Sequence, residues 1–396
     1  RFPGDSVGTF MEPIAEGVAA RGHVVHVVAP WHPLVTRGRS EDGVHFHFYK
    51  YAPHPSLNVF GYAAAMKADV SVRGQAFIAA PLALAQGWRT ARKIARRHNA
   101  TIMHGHWVIP GGVTAAAAAG GRPLVISLHG SDVYLAERLM PARVAARAAF
   151  RKAAYVTACS ADLARRAIAL GADPERMAVI PYGVDAERFQ PDEAARNRLR
   201  AELGIPAGAA LVAAAGRLVR KKGFEYLIDA IPGVRAPIVL AIAGEGSLRD
   251  ELRARGTSRG IAERMRFLGD RSQDEVAALF AAADVIVAPS VRDESGNVDG
   301  LPNVVMEALA SGTALITTTA GGIGAVVEHE ATALIVPEKD TAAIARELDR
   351  ALSDAALRQR LGSAARKLAQ SRFGWDQTAA AFEDAYNRAL ARTGRP

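Results

Sequence analysis

Two short apolar runs, Val285–Ala288 and Ala314–Thr318, constrain the fold of this chain more than any other feature. Neither run alternates with polar residues, which is typical of parallel strands that are buried on both faces. The segment between them, Asn303–Ser311, is apolar almost all round. Pro302 before it and Gly312 after it predict a buried helix with Pro302 as its first residue. A strand, a helix and a second strand in this order indicate a parallel α/β sheet.

One charged residue, Glu307, lies on the predicted helix, where an ionised carboxylate is costly unless another group binds it. The loop before the helix adds Asp293, Glu294 and Asp299 at the carboxyl end of a strand, where open α/β sheets bind their ligands. We interpret these converging acids as a polyol-binding site. The alternative is a Glu307 bonded to neighbouring backbone beside a solvated acidic loop.

The length of 396 residues predicts two domains, because one ordinary core does not extend over such a chain. No apolar run has the length of a membrane-spanning helix, and no cleavable signal peptide is visible. The single cysteine, Cys159, excludes an internal disulfide and a cysteine-based zinc site. We therefore expect a cytoplasmic protein. No metal or other cofactor is expected, because no metal-ligand constellation appears in the sequence.

The positive charge is confined to the first half of the chain. Residues 1–183 hold 21 Lys and Arg against 11 Asp and Glu, whereas residues 184–396 hold 28 against 29. This asymmetry predicts an anionic partner such as a membrane surface, a lipid phosphate or a polyanion, and a basic surface without any partner is the alternative. Nucleic acid is not expected, because no basic and aromatic platform accompanies the charge.

Strand and helix signals alternate along both halves, as parallel sheets require. Pro, Gly and Asp interrupt this pattern at residues 181–191, so we place an N-terminal domain at 1–183 and a C-terminal domain at 184–375. We expect the helix at 376–396 to pack back on the first domain. No strand signal precedes the first loop and helix, so a first strand is expected upstream of Arg1. The predicted strands are 23–29, 44–51, 101–104, 123–128, 155–158 and 177–180, then 211–215, 238–243, 265–268, 285–288, 314–318 and 333–336.

A basic turn follows the first strand of the second domain. In GRLVRKKGF, Arg217 and Lys222 lie at the carboxyl end of that strand, just before a predicted helix near Gly223. A guanidinium, an ammonium and helix-terminal N–H groups suit a diphosphate, and a solvated basic turn is the alternative. The nearby GEGSLR has only part of a dinucleotide fingerprint, and a tight turn explains it.

Three histidines lie at the ends of two strands of the first domain. They are His104, His106 and His129, and Asp132 follows the last of them. A fourth ligand with fixed spacing is missing, so a zinc site is not indicated. His129 beside Gly130 is typical of a hydrogen-bonding or proton-handling group, whereas His104 is equally well explained as a core histidine.

Taken together, these motifs make the chain resemble a family 4 retaining glycosyltransferase of the GT-B fold, which has two Rossmann-like domains. The resemblance covers nearly the whole length and depends on HGSD, IPYGVDAERF, GRLVRKKGFEYLIDA, AGEGSLRDEL, RFLGD and DGLPNVVMEALASGTALITTTAGG in this order. It implies transfer of a sugar from a nucleotide-diphosphate sugar to a glycan, a lipid-linked glycan or a small molecule.

The resemblance also implies roles for individual residues. Glu307 would hold the ribose, Asp299 the donor sugar, and Arg217 with Lys222 the diphosphate, while His129 would lie beside the transferred sugar. Gly300, Leu301, Glu294 and Gly8 complete the implied donor-binding set, and His106 with Asp132 would face the acceptor.

The chain departs from the family pattern at three places. The first acid of the paired-acid motif is Asp299 and not Glu, which makes Glu294 a candidate substitute. Gly324-Ala325 stands where Pro-Glu is usual, and the loop at Gly4–Gly8 lacks paired glycines. Two other classes fit the sequence less well. A dinucleotide-linked oxidoreductase should show a complete glycine fingerprint, which is missing here, and a non-catalytic sugar-nucleotide or membrane-binding module would lose the basic pair or His129, which are present.

Two helices carry rows of cations that could meet an anionic bilayer. On the predicted helix 82–98 the cations Arg89, Arg92, Lys93 and Arg96 share one face beside Trp88. The helix dipole alone could favour them near a C-terminus. It does not explain a second row, and from both rows we expect peripheral attachment to the inner face of a membrane. The second row is Arg143, Arg147 and Arg151.

Overall fold

The computed structural model describes residues 8–52, 66–68, 71–72 and 74–393. The chain divides into two compact units, which we call unit 1 (Arg1–Pro181 with Trp375–Pro396) and unit 2 (Tyr182–Gly374). Residues 1–7, which include most of the predicted Gly4–Gly8 loop, lie outside the described residues. Each unit contains a parallel sheet with helices packed on it.

Unit 1 contains two main sheets. In the first sheet the order is β1-β3-β2, and β1 and β3 are parallel. Its strands are β1 (Val25–Pro30), β2 (Ser40–Glu41) and β3 (Val44–Tyr49), and a short antiparallel pair, β4 (Met66–Ala68) and β5 (Ser71–Val72), follows. The second sheet is parallel in the order of the chain, with β6 (Met103–His106), β7 (Leu124–Leu128), β8 (Tyr155–Ala158) and β9 (Met177–Val179).

One strand of unit 1 lies two residues later than predicted, at Met103–His106 instead of 101–104. Glycine is unusual inside a strand, but Gly105 is needed here for close approach of the backbone. A Cβ atom at Gly105 would lie 2.7 Å from the Cα of Gly112. The helices of unit 1 before the boundary are α1 (Met11–Ala20), α2 (Gly74–Arg97), α3 (Val113–Ala118), α4 (Ser131–Arg138), α5 (Met140–Lys152) and α6 (Ala161–Ala169), and an irregular turn at Trp107–Gly112 precedes α3.

Unit 2 is built on a six-stranded parallel sheet in the order β12-β11-β10-β13-β14-β15. The strands are β10 (Ala210–Ala215), β11 (Ile238–Ala243), β12 (Met265–Gly269), β13 (Val285–Ala288), β14 (Ala314–Thr317) and β15 (Leu334–Ile335). The helices are α7 (Glu193–Glu202), α8 (Phe224–Ala230), α9 (Arg249–Ser258), α10 (Gln273–Ala282), α11 (Asn303–Ser311), α12 (Thr341–Ser353) and α13 (Ala355–Arg372).

The central strands of unit 2 are buried along their whole length, as their continuous apolar runs predict. Phe224, Leu227 and Ile228 of α8 pack in the same core, and each such side chain stabilises the fold by about 1.5–3 kcal/mol. The predicted start of α11 is wrong by one position: Pro302 has an extended ψ of 123° and precedes the helix. Gly312 ends α11 in the left-handed conformation, and α10 begins with a capping box formed by Ser272 and Glu275.

The last helix, α14 (Trp375–Ala391), belongs to unit 1. Its small buried residues allow close packing on α1, since a Cβ atom at Gly17 would lie 2.8 Å from the Cβ of Ala379. Phe382 and Ala385 are buried as well. Within the described ranges, no helix is both long and apolar enough to cross a membrane.

Candidate functional site

The best-formed group of charged side chains lies in unit 2, where the turn after β10 meets the loop after β13. The two segments are held together by their backbones: the Val291 N–H donates to the Lys221 carbonyl at 2.9 Å. Gly223 follows the turn with φ +67°, and a Cβ atom there would lie 2.0 Å from the Pro289 oxygen. Only glycine fits such a position, so this glycine fixes the basic turn against the acidic loop.

Asp299 is the centre of this group. Lys221 Nζ lies 3.1 Å from its Oδ1 and Lys222 Nζ lies 2.6 Å from its Oδ2. Burial opposes ionisation of Asp299, but the two ammonium groups outweigh it and hold the pKa of this carboxyl well below its usual range. Asp299 is therefore a fixed anion. Lys221, which is buried, was not among the residues singled out from the sequence, although it is half of the Lys-Lys pair before Gly223.

Glu307 lies on α11 and is influenced by three polar residues. Burial raises its pKa to about 7, while Lys222, a hydrogen bond to Gln273 and the charge of Arg188 oppose that rise. Arg188 donates to Gln273 Oε1 at 2.9 Å, which orients the amide. Glu307 is consequently close to equal protonated and ionised populations at neutral pH.

The remaining predicted donor-binding residues of unit 2 have different environments. Arg217 is exposed directly after β10, and Gly300 and Leu301 are buried directly after Asp299. Glu294 is exposed and interacts electrostatically with Arg220.

The Asp293 side chain is hydrogen-bonded within its own loop. Its Oδ1 accepts hydrogen bonds from the backbone N–H groups of Ser295 and Asn297 at 2.9 and 3.0 Å. The short side chain of an aspartate commonly accepts a hydrogen bond from the backbone N–H two residues later, which closes a turn. Asp293 therefore shapes the loop.

In unit 1, His129 lies among aromatic side chains. Its ring centroid is 4.4 Å from that of Phe10 and 5.0 Å from that of Trp107. His106 Nδ1 is 3.0 Å from His129 Nε2. Burial lowers the pKa of His129 well below its usual value and that of His106 to about 4, so both rings are neutral at pH 7. Gly8 is part of the same neighbourhood, because a Cβ atom there would lie 3.2 Å from Trp107.

Asp132 connects the segments that follow β6 and β7. Its carboxylate accepts backbone N–H groups from Val108 at 2.6 Å, Gly130 at 3.0 Å and His129 at 3.4 Å. Burial raises the pKa of Asp132 and these hydrogen bonds oppose the rise. This arrangement gives Asp132 a structural task, and its predicted place beside an acceptor stays a prediction.

The sequence left open whether His104 is a functional residue or a core histidine, and its contacts in the structure are those of a core histidine. Its Nε2 lies 2.6 Å from the Ser127 hydroxyl and its Nδ1 lies 2.9 Å from the Tyr386 hydroxyl. Both ring nitrogens are therefore used within unit 1. Among the residues that the structure describes, no group of three or more His, Cys, Asp and Glu side chains could hold a metal ion.

The two rows of cations differ. Arg143 donates to the carbonyls of Ala136 and Glu137, and Arg147 donates to the Leu170 carbonyl, so both satisfy the ends of other helices. These contacts give Arg143 and Arg147 partners within unit 1, and their predicted contact with a membrane stays a prediction. In the first row Arg89, Lys93 and Arg96 are exposed and Arg92 is partly buried.

Known structures with this arrangement of parallel sheets and helices are GT-B glycosyltransferases. The Anabaena protein HepE, solved in complex with UDP-glucose, superposes with a TM-score of 0.75 at 20% identity over 98% of this chain and 96% of that one. The predicted fold class is thereby confirmed.

Sequence comparison gives the family. Residues 7–188 match the Glycosyltransferase Family 4 pattern and residues 195–368 match Glycosyl transferases group 1. A D-inositol 3-phosphate glycosyltransferase of Streptomyces bingchenggensis is 35% identical over 73% of this chain and 67% of its own length. A GDP-mannose-dependent alpha-(1-6)-phosphatidylinositol monomannoside mannosyltransferase of Mycobacterium tuberculosis is 31% identical over 68% of this chain and 70% of its own length. The chain belongs to the family 4 glycosyltransferases, as its motifs predicted.

Proposed function

We propose that this chain transfers a hexose from a nucleotide-diphosphate sugar to an acceptor and retains the anomeric configuration. The observation that carries the proposal is the group formed by Asp299, Lys221, Lys222 and Glu307 at one edge of the unit 2 sheet. It combines anions that accept hydroxyl groups with Lys222, a cation that can neutralise a diphosphate. That pairing fits a sugar nucleotide better than any ligand with only one of the two features.

Each residue has a task in this reaction. Glu307 accepts the ribose hydroxyls, Arg217 and Lys222 stabilise the departing diphosphate without a metal, and Asp299 accepts hydroxyls of the sugar. His129, assigned beside the transferred sugar, is neutral and can donate or accept a hydrogen bond.

We propose retention because the chain belongs to the family 4 glycosyltransferases. We propose that no covalent intermediate forms, because the described carboxylate close to His129 is not free to act as a nucleophile. A retaining glycosidase places a free carboxylate about 5 Å from its acid, but Asp132 is occupied by three backbone N–H groups. We therefore propose attack on the same face that the diphosphate leaves, with a phosphate oxygen taking the acceptor proton.

A thermal-shift panel tests the donor assignment. We expect a GDP, UDP or ADP sugar to raise the Tm of the native chain, and Glu307→Ala to remove that rise. Glu263→Ala is a matched control, because Glu263 is an exposed acid of the same unit in the turn before β12. An equal rise in the Glu307 variant would refute the ribose assignment.

For the acceptor, we propose a phosphate-bearing molecule at the cytoplasmic face of an anionic membrane. The basic balance of residues 1–183 and the exposed Arg89, Lys93 and Arg96 support it. The names of both relatives also specify phosphorylated inositol acceptors. Exposed Trp88, Met140 and Val144 add apolar surface to α2 and α5.

Co-sedimentation with liposomes containing anionic lipid tests this surface. Binding should decrease in high salt and should weaken in an Arg89→Gln, Lys93→Gln variant, because each cation near such a surface contributes roughly 1 kcal/mol. Binding that is indifferent to lipid charge, or no binding, would favour an acceptor in solution.

A further inference from the structure

One buried cation of unit 2 is not used by the donor contacts proposed above. The Lys221 side chain is 6% exposed, and its ammonium lies against Asp299 opposite that of Lys222. Two lysines therefore share one carboxylate. A buried ammonium is costly unless it is paired, so the second lysine needs a reason to be present.

The reason lies in what must change when a donor binds. Lys222 pairs with Asp299 Oδ2 at 2.6 Å in the free protein, yet the proposed function requires it to neutralise the diphosphate. One ammonium cannot serve both anions fully, because the strength of an ion pair decreases with distance. When Lys222 turns to the diphosphate, Lys221 is the cation that remains beside Asp299.

The charges of the bound state agree with this division. The diphosphate of a sugar nucleotide carries two negative charges, and Asp299 and ionised Glu307 carry one each. Arg217, Lys221 and Lys222 supply three positive charges, and Arg188 acts on Glu307 as a fourth. Without Lys221, one negative charge would be left uncompensated in a largely buried place.

The position of Lys221 is fixed by the backbone and not only by its charge. Its carbonyl accepts the Val291 N–H at 2.9 Å, and Val291 lies in the loop that carries Asp299. Gly223, two residues after Lys221, admits no side chain against Pro289. The Lys221 ammonium therefore stays beside the Asp299 carboxylate whether or not Lys222 moves.

We propose that Lys221 is a positioning residue: it keeps Asp299 ionised and oriented toward the donor sugar, and so frees Lys222 for the diphosphate. This inference rests on the proposed function, because it takes from there the roles of Asp299 and Lys222. It predicts that Lys221 affects recognition of the sugar and leaves recognition of the nucleoside diphosphate almost unchanged.

The experiment compares affinities for UDP and UDP-glucose, and for GDP and GDP-mannose, by calorimetry at pH 8, where the nucleoside diphosphates and Glu307 are largely ionised. In Lys221→Met, which keeps length and loses charge, we expect nucleoside diphosphate affinity within about threefold of native. The additional affinity given by the sugar should fall about tenfold, as expected for one charge-assisted hydrogen bond. Lys221→Arg should restore that additional affinity.

Arg200→Met is the matched control, because it removes a cation 2.9 Å from Asp284 in the same unit but away from this group. If Lys221→Met behaves like this control and only lowers Tm, or if it weakens UDP as much as UDP-glucose, the inference is overturned. Asp299→Asn separates the two levels of the argument. If Asp299→Asn changes sugar recognition and Lys221→Met does not, only the inference fails; if neither changes it, the assigned role of Asp299 fails.

Discussion

Donor binding should become tighter as pH rises through neutrality, because Glu307 must be ionised to accept both ribose hydroxyls. Burial raises the pKa of Glu307 to about 7 in the free protein. From that value, roughly one tenth of the molecules are ionised at pH 6 and nine tenths at pH 8. The dissociation constant of a sugar nucleotide should therefore fall about tenfold between these two pH values, and binding at pH 6 should release a proton.

Isothermal titration calorimetry at pH 6, 7 and 8 measures this effect. A sugar nucleotide is the appropriate probe, because its doubly esterified diphosphate does not titrate in this range. Asp299 and His129 do not titrate there either, since the pKa of each lies well below its usual value. In Glu307→Gln the dissociation constant should be independent of pH. A tenfold dependence that persists in Glu307→Gln, or a flat profile in the native chain, would refute the reasoning.

Three further predictions concern stability and metal dependence. Asp132→Ala should lower the free energy of unfolding by about 3 kcal/mol in chemical denaturation, because it leaves three backbone N–H groups without their acceptor. A change below about 1 kcal/mol would contradict the structural task of Asp132. Burial lowers the pKa of His106 to about 4, so below about pH 6.5 the folded chain binds fewer protons than the unfolded chain. The free energy of unfolding should therefore fall by up to about 3 kcal/mol from this group between about pH 6.5 and pH 4, and a constant value over this range would contradict the prediction. Transfer activity should survive EDTA, because Arg217 and Lys222 are assigned to the diphosphate, whereas complete loss restored by Mg²⁺ or Mn²⁺ would show that a metal has that task.

The sheets could be predicted from the sequence where burial leaves an unambiguous pattern. The runs Val285–Ala288 and Ile238–Ala243 are continuously apolar, and both strands have the predicted bounds. The strand that contains Gly105 was predicted two residues too early, because a glycine in the sequence usually indicates the end of a strand. The close approach of the Gly112 backbone, which requires a glycine at position 105, is visible only in the structure.

The candidate site was only partly predictable for a similar reason. Glu307 was recognisable from the local sequence alone, because it is the one charged residue on an otherwise apolar helix. The pairing of Lys221 with Asp299 joins residues far apart in sequence, and it exists only because the Val291 loop folds onto the basic turn. Asp293 resembles the other acids in the sequence but bonds to its own loop, and only the folded backbone distinguishes it.

A crystal structure of the full chain with UDP-glucose or GDP-mannose bound would test the central claim most directly. We predict that both ribose hydroxyls lie within hydrogen-bonding distance of the Glu307 carboxylate. Lys222 Nζ should lie on the diphosphate together with Arg217, while Lys221 remains on Asp299. A nucleotide bound with its ribose away from Glu307, or with Lys222 still paired to Asp299 and the diphosphate held by other residues, would contradict the account.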